Sequence, residues 1–296
     1  MSRHGNPLWR SLMFCPANSE RFIAKANQRG ADAVILDLED SVALPEKEKA
    51  RVTLGASATH IRSGGADVVV RVNRELTLAV PDIECAISPD VSAIMLPKVK
   101  GPEHIQLMAE VIEARELELG MELGHTHIIA LVETADAMGR INEVARSHPR
   151  LVALAVGGED LATELDAEPS ADSLYVAKML GVLAARAAGI LPIGVLASVA
   201  SIGGDDDGYL EMLARSRRLG FAGATCVHPR QVPMLNEVFS PGAAQVDLAR
   251  RIVEAYTEAT QRGKGAVALD GRMIDKPIVI RAQRLLAQLD AQKGVF

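Results

Sequence analysis

Aromatic residues are scarce: one Trp, three Tyr and five Phe make up 3 % of 296 residues. So few flat rings leave little with which to stack bases, which argues against a single-stranded nucleic-acid surface. Cysteine is nearly as rare. Cys15, Cys85 and Cys226 are odd in number and lack CxxC spacing, so neither a disulfide framework nor a zinc ribbon is indicated. A basic excess is also missing. Thirty-two Lys and Arg against 38 Asp and Glu leave a formal charge of −6, which provides no general field for polyanions. No repeat or low-complexity tract is present. The polar start Met1–Trp9, with Pro7, contains no signal-peptide apolar segment. The uncharged stretch Ala187–Gly204 has 18 residues, near the lower limit of a membrane span. Pro192, Gly189, Gly194, Gly203 and Gly204 interrupt it, so it reads as a helix end capped at Gly189, a buried strand and a loop. The expectation is a soluble, cytoplasmic protein with neither membrane nor nucleic acid as a partner.

What the chain does have is an apolar share of 48 %, supplied mainly by Ala, Val, Ile, Leu and Met. Short apolar runs recur: Ser11–Phe14, Ala33–Leu38, Asp67–Val72, Ala93–Pro97, His127–Val132, Leu151–Val156, Leu191–Leu196 and Ala224–Val227. They are rich in Val, Ile and Leu without strict alternation, as strands buried on both faces are. Helix-compatible segments lie between them: Ser19–Arg29 with Ser19 at the N-cap, Pro102–Leu119, Ala137–Ser147 and Ser173–Ala188. Eight strand–helix alternations predict a (β/α)8 TIM barrel. The competing open doubly wound sheet usually carries GxGxxG after its first strand, and CPANSERF stands there instead. The barrel is assigned to residues 1–240. Beyond Ser240-Pro241-Gly242, residues 241–296 hold two further helices, about Ala244–Arg262 and Val279–Gln292, and read as a C-terminal lid or an arm onto a neighbouring subunit.

In such a barrel the active site lies at the C-terminal strand ends. The second strand ends in Asp37-Leu38-Glu39-Asp40, carboxylates that need solvent, a partner or a cation; a loop capping the next helix is the plainer reading. The third carries Arg71 and Asn73, which alternation points the same way. Arg71 either pairs with the preceding carboxylates or faces a ligand anion, and both can hold at once. Glu133 closes the fifth strand and should point into the mouth. Asp160 follows Gly157-Gly158 after the sixth, as either a helix N-cap or a ligand. His228 at the eighth reads as structural. Glu133 and Asp160 on adjacent strand ends suit Mg²⁺, which keeps several waters and needs few protein ligands, and no His/Cys cluster competes for a softer metal. With Arg71 nearby, the mouth would suit a substrate on which enolate charge develops.

The motifs RSLMFCPANSERF, GADAVILDLEDSVALPEKEKAR, VRVN, IMLPKV, VETADAM, GGEDLATEL, CVHPRQV and DGRMIDKP occur in this order. Through them the chain, from Trp9 to Leu289, resembles the citrate lyase β-subunit-like branch of the HpcH/HpaI aldolase superfamily, and within it the malyl-CoA and citramalyl-CoA lyases. The resemblance implies a Mg²⁺-dependent carbon–carbon lyase, with Mn²⁺ as a possible substitute, on a TIM barrel that forms homotrimers or hexamers. By motif, Glu133 and Asp160 match metal ligands and Arg71 a substrate-binding arginine. Glu39 and Asp40 match acidic residues around the metal's water shell. Asp275 matches an acid/base aspartate that reaches a neighbouring subunit's site. Phe14 and Lys25 match coenzyme A contacts, and Arg21 stands two residues beyond Ser19, where relatives carry a basic residue. Cys15-Pro16-Ala17-Asn18 departs from the family's Pro-Gly turn. The implied reaction cleaves an acyl-CoA such as (S)-citramalyl-CoA or malyl-CoA to acetyl-CoA and pyruvate or glyoxylate. A citrate lyase β subunit acting on a citryl thioester is the alternative, and a non-catalytic barrel scaffold is the alternative of another class.

Overall fold

A computed structural model of the chain describes residues 7–198 and 206–293. Eight parallel strands form one sheet: β1 (Ser11–Pro16), β2 (Ala33–Asp37), β3 (Asp67–Arg71), β4 (Ala93–Leu96), β5 (His127–Val132), β6 (Leu151–Val156), β7 (Leu191–Ile193) and β8 (Ala224–Cys226). β1 to β7 lie side by side in sequence order, and β8 returns to pair with β1. A parallel bridge from Ile193 to Gly223, with the Gly194 N–H donating to Gly223 O at 2.9 Å, ties β7 to the residues leading into β8 and closes the ring. The architecture is a (β/α)8 barrel. Each of the eight apolar runs is a strand, with ends that differ by a few residues.

The helices on the outside are α1 (Glu20–Ala26), α2 (Lys47–Arg62), α3 (Leu76–Ala86), α4 (Pro102–Glu118), α5 (Ala135–Met138), α6 (Ile141–Val144), α7 (Glu159–Glu164), α8 (Ala171–Ala188), α9 (Asp206–Arg218) and α10 (Gln231–Val238). The single helix expected over Ala137–Ser147 is two short ones, broken after α5 at Gly139. Ser19 holds the N-cap position of α1 in extended geometry, but its hydroxyl makes no capping bond. α8 is closed at both ends, by a Ser170–Ser173 capping box and by Gly189 at φ 77°.

The interior is filled by alternate strand residues: Leu12, Ile35, Met95 and Ile129 interleave with the small Ala33, Ala93 and Ala153, so bulky side chains meet gaps across the ring. At the N-terminal end of the barrel, Arg150 donates to both carboxylate oxygens of buried Glu116 at 2.9 and 2.6 Å, and Glu116 also accepts the N–H groups of Gly124 and Thr126.

Residues 1–238 and 239–296 form two compact units. The second contains α11 (Ala243–Gln261), an antiparallel hairpin of β9 (Val267–Leu269) and β10 (Arg272–Ile274), and α12 (Lys276–Lys293). Among the described residues no helix is long and apolar enough to cross a membrane. The end of the uncharged stretch, residues 199–204, and the start of the chain, residues 1–6, lie outside the described residues.

Candidate active site

Strand parity puts charge on top of the apolar interior. Ile35 faces inward in β2, so Asp37 does too; Val69 precedes Arg71 in the same way, and Leu131 precedes Glu133. A charge at such a place must be paired. The Arg71 guanidinium forks onto Asp37, with Nε 2.7 Å from Oδ1 and Nη2 2.8 Å from Oδ2. Its Nη1 lies 2.9 Å from Glu39 Oε2 and 3.4 Å from Asp40 Oδ2, and its Cζ sits 4.8 Å from the centre of the Phe14 ring. Asp37, which the sequence reading did not single out, is the hub: it also accepts the backbone N–H of Glu39 at 2.9 Å and of Ser41 at 3.1 Å. Burial alone would raise its pKa, but these bonds, that of Arg71 first, hold it below the usual carboxylate range.

Glu39 is only 7 % exposed, and burial outweighs Arg71 and Lys98, pushing its pKa up to about 7. Asp40 stands at the rim, 58 % exposed. Glu133 is 5 % exposed, and burial raises its pKa as well. Its Oε1 accepts the Lys98 backbone N–H at 2.7 Å, while no hydrogen bond from the described residues reaches Oε2. Gly157 keeps that oxygen open, since a Cβ there would collide with Oε2 and lie 2.6 Å from the Glu133 Cβ. Asp160 lies in the first turn of α7 and is 45 % exposed; the N-cap position belongs to Gly158, which corrects the capping reading of Asp160.

Two further side chains bear on the site, and the first departs from expectation. Asn73 does not share the Arg71 direction. The strand ends at Arg71, and Asn73 Nδ2 donates to Leu38 O at 3.0 Å and Asp82 Oδ2 at 2.6 Å, so it is a buried clip between loops. Lys98 holds φ 47°, a left-handed conformation that costs a non-glycine residue about 1 kcal/mol. Its Nζ is 2.9 Å from Glu39 Oε1, 3.6 Å from Asp40 Oδ1 and 3.9 Å from Asp160 Oδ1. Burial would lower its pKa, but the Glu39 bond and the surrounding carboxylates raise it. The signal for Lys98 was its place after the fourth strand.

Among the described residues no three His, Cys, Asp or Glu side chains converge into a self-sufficient metal cage. Glu133 and Asp160 instead offer an all-oxygen pair with the open Oε2 between buried and solvated ground. That donor set suits a hard divalent cation which completes its shell with water and ligand oxygens.

Beside the mouth lies a cleft of about 750 Å³. Phe14, Arg21 and Lys25 all line it, joined by Arg29, His228 and Arg230. Phe14 thus touches both the cleft and Arg71. Cys15 also lines the cleft, with burial pushing its thiol up to about 11, so it is no thiolate at neutral pH. His228 Nδ1 accepts the Arg230 N–H at 3.2 Å, a hydrogen bond that fits the structural reading of it. Arg29 and Arg230 were not foreseen; Arg230 reaches this cleft because ring closure puts β8 beside β1. Asp275 sits in the second compact unit, where its backbone O accepts the N–H groups of Ile278 and Val279 and its Oδ1 is buried without a hydrogen-bond partner among the described residues.

A parallel barrel whose mouth gathers five carboxylates around one arginine and one lysine, beside a cation-lined cleft, has the layout of a barrel enzyme with its polar groups at the C-terminal strand ends. It belongs to the HpcH/HpaI aldolase/citrate lyase family, matched over residues 10–229. The chain is 31 % identical over 287 residues to the citrate lyase subunit beta of Leuconostoc mesenteroides subsp. cremoris, covering 96 % of this chain and 94 % of that one. It is 33 % identical over 294 residues to a (3S)-malyl-CoA thioesterase of Cereibacter sphaeroides, covering 98 % of each. It superposes with a TM-score of 0.72 and 29 % identity on the protein CitE of Mycobacterium tuberculosis, solved with magnesium, acetoacetate and coenzyme A, over 97 % of this chain and 98 % of that one.

Proposed function

We propose that the chain is a Mg²⁺-dependent carbon–carbon lyase of acyl-CoA thioesters, cleaving (S)-citramalyl-CoA or malyl-CoA to acetyl-CoA and pyruvate or glyoxylate. The observation that carries this reading is Phe14, which bridges the basic cleft and the Arg71 carboxylate cluster. A nucleotide-bearing thioester in the cleft would present its acyl end to the mouth. The relatives support it: one acts on malyl-CoA by name, and one was solved with magnesium and coenzyme A.

Glu133 and Asp160 would hold the cation, with Mn²⁺ as a substitute. When bound, the cation supplies Lewis acidity toward the substrate's carboxylate and 3-oxygen. Arg71, fixed by its fork on Asp37, stabilises oxygen charge without reorganising. Glu39, poised near pH 7 beside Asp40, takes up the 3-hydroxyl proton as the C2–C3 bond breaks. The electron pair passes to the thioester as an enolate, and Asp275 returns a proton to its carbon. On this reading the 239–296 unit is the lid that brings Asp275 to a neighbouring subunit's mouth in a homotrimer or hexamer. Arg21, Lys25, Arg29 and Arg230 meet the phosphates of coenzyme A.

A citrate lyase β role is favoured by the Leuconostoc relative, and thioester hydrolysis by the name of the Cereibacter one. One assay separates them. Citramalyl-CoA, malyl-CoA and a citryl-acyl carrier protein are each supplied with and without Mg²⁺, and oxo acid and free thiol are measured together. Oxo acid released with acetyl-CoA supports the lyase. Free coenzyme A without oxo acid makes it a thioesterase, and turnover of citryl-carrier protein alone makes it a citrate lyase subunit. Asp275→Asn should lower turnover while Mn²⁺ affinity, read by electron paramagnetic resonance, stays unchanged; Glu133→Gln should lower both.

A further inference from the structure

Lys47 breaks two local rules. It opens the 16-residue helix α2, where a cation meets the positive end of the helix dipole. It is also only 8 % exposed, and a buried ammonium ordinarily faces a carboxylate. Both of its hydrogen bonds among the described residues go to main-chain carbonyls instead: Nζ donates to Leu38 O at 2.7 Å and to Glu39 O at 2.9 Å. Side chains on a helix lean toward its N-terminus, which carries Lys47 back beneath the loop after β2. One turn further along α2, Arg51 Nε donates to Asp82 Oδ1 at 2.7 Å. Asp82, fully buried, accepts the Asn73 N–H at 2.8 Å and Asn73 Nδ2 at 2.6 Å through Oδ2. Asn73 Nδ2 in turn donates to Leu38 O at 3.0 Å. Two routes from α2 therefore end on one carbonyl.

That carbonyl belongs to the same planar peptide group as the Glu39 N–H, which donates to Asp37 Oδ1 at 2.9 Å. The same Oδ1 accepts Arg71 Nε at 2.7 Å. One peptide thus stands between a buried ammonium and the carboxylate that forks Arg71, its oxygen toward the cation and its N–H toward the anion. Hydrogen bonds in such a row polarise and strengthen one another. A flip of this peptide would take a donor from Asp37 and turn the Glu39 backbone from which the side chain starts. We propose that Lys47 is a positioning residue for Arg71 and Glu39, and that it acts by locking the Leu38–Glu39 peptide. Three carboxylates in four residues then meet three cations, Arg71 and Lys98 at the mouth and Lys47 from beneath, and the third works only through the main chain. The inference rests on the lyase reading for what Arg71 and Glu39 do, and not for how they are held.

The test compares the full-length wild type with Lys47→Met, with thermal melts to confirm folding. In the wild type the Glu39 and Ser41 amides, although in a loop, should resist hydrogen exchange as the β2 amides do. In Lys47→Met both should exchange at least about tenfold faster while the strand amides keep their protection. The Arg71 Nε–H signal in a ¹⁵N spectrum, assigned by its loss in Arg71→Lys, should move toward that of a solvated guanidinium. On the proposed substrates kcat should fall about tenfold with KM nearly kept, and Mn²⁺ affinity should stay as in the wild type. Lys47→Gln, which keeps a donor without the charge, replaces the methionine variant if that one does not fold, and the same shifts are expected. Freely exchanging wild-type amides, an unmoved Arg71 signal, or protection lost evenly across the barrel would each overturn the assignment. Exchange and spectra need no turnover, so failure here and failure of the lyase reading are distinguishable.

Discussion

Glu39 is held against two cations and still keeps its proton to about pH 7, because loss of water costs it more than Arg71 and Lys98 restore. This has a consequence for stability. The folded value lies above the ordinary 4.5, so between these values the folded state binds more protons than the unfolded one. Stability is therefore lost as pH rises from about 4.5 through 7. In EDTA, urea unfolding at pH 5 and pH 8 should show Glu39→Gln less sensitive than the wild type by on the order of 2 kcal/mol. An equal loss in both proteins would remove the claim. Arg71 makes the second residue-scale prediction. Arg71→Lys keeps the charge but cannot fork onto Asp37, so kcat/KM on the proposed substrates should fall about 100-fold while the melting temperature drops only slightly. Arg71, Glu39, Asp40, Glu133 and Asp160 were legible as candidates because a charge at the end of an apolar strand must find solvent, a partner or a ligand. Asp37 was legible as one of three carboxylates ending the second strand, with pairing to Arg71 as one reading; that it would be the hub follows from its parity with Ala33 and Ile35, which points it inward. Lys98 needed the tertiary structure: its place after the fourth strand is visible in the sequence, but not that it adopts φ 47° and sets Nζ among three carboxylates.

At the scale of elements, the glycine after β6 and the clamp beneath the barrel should behave oppositely. Gly157→Ala inserts a methyl against Glu133, so the fold should survive at a cost of about 1–3 kcal/mol while divalent affinity, measured calorimetrically, falls at least tenfold. Unchanged affinity would show that Glu133 is not the ligand. Arg150→Met leaves Glu116 buried without its charge partner, its side chain being 0 % exposed, and should lower stability by about 3–5 kcal/mol in urea titration with divalent affinity intact. All eight strands were readable because a strand buried on both faces must be a short apolar run. The helix broken at Gly139 was not, since its apolar spacing continues through the break and only packing decides where a short helix ends.

At the scale of the molecule, a cation bound to the folded state alone should raise its stability by about 2.7 kcal/mol at a hundred times its Kd, roughly 5 °C in a melt against EDTA. The rise should vanish in Glu133→Gln; a rise that persists there would place the cation elsewhere. The sequence by itself determined the barrel and which charges would crown it, because alternation of strand and helix, and of inward and outward residues, is a property of the local chain. Only the tertiary structure decided how those charges share one space. Closing the ring set β8 beside β1 and so brought Arg230 to the cleft of Phe14, Arg21 and Lys25. Burial, rather than the carboxylate itself, set the Glu39 proton affinity, because desolvation depends on every neighbour that excludes water and most of those are distant in the chain.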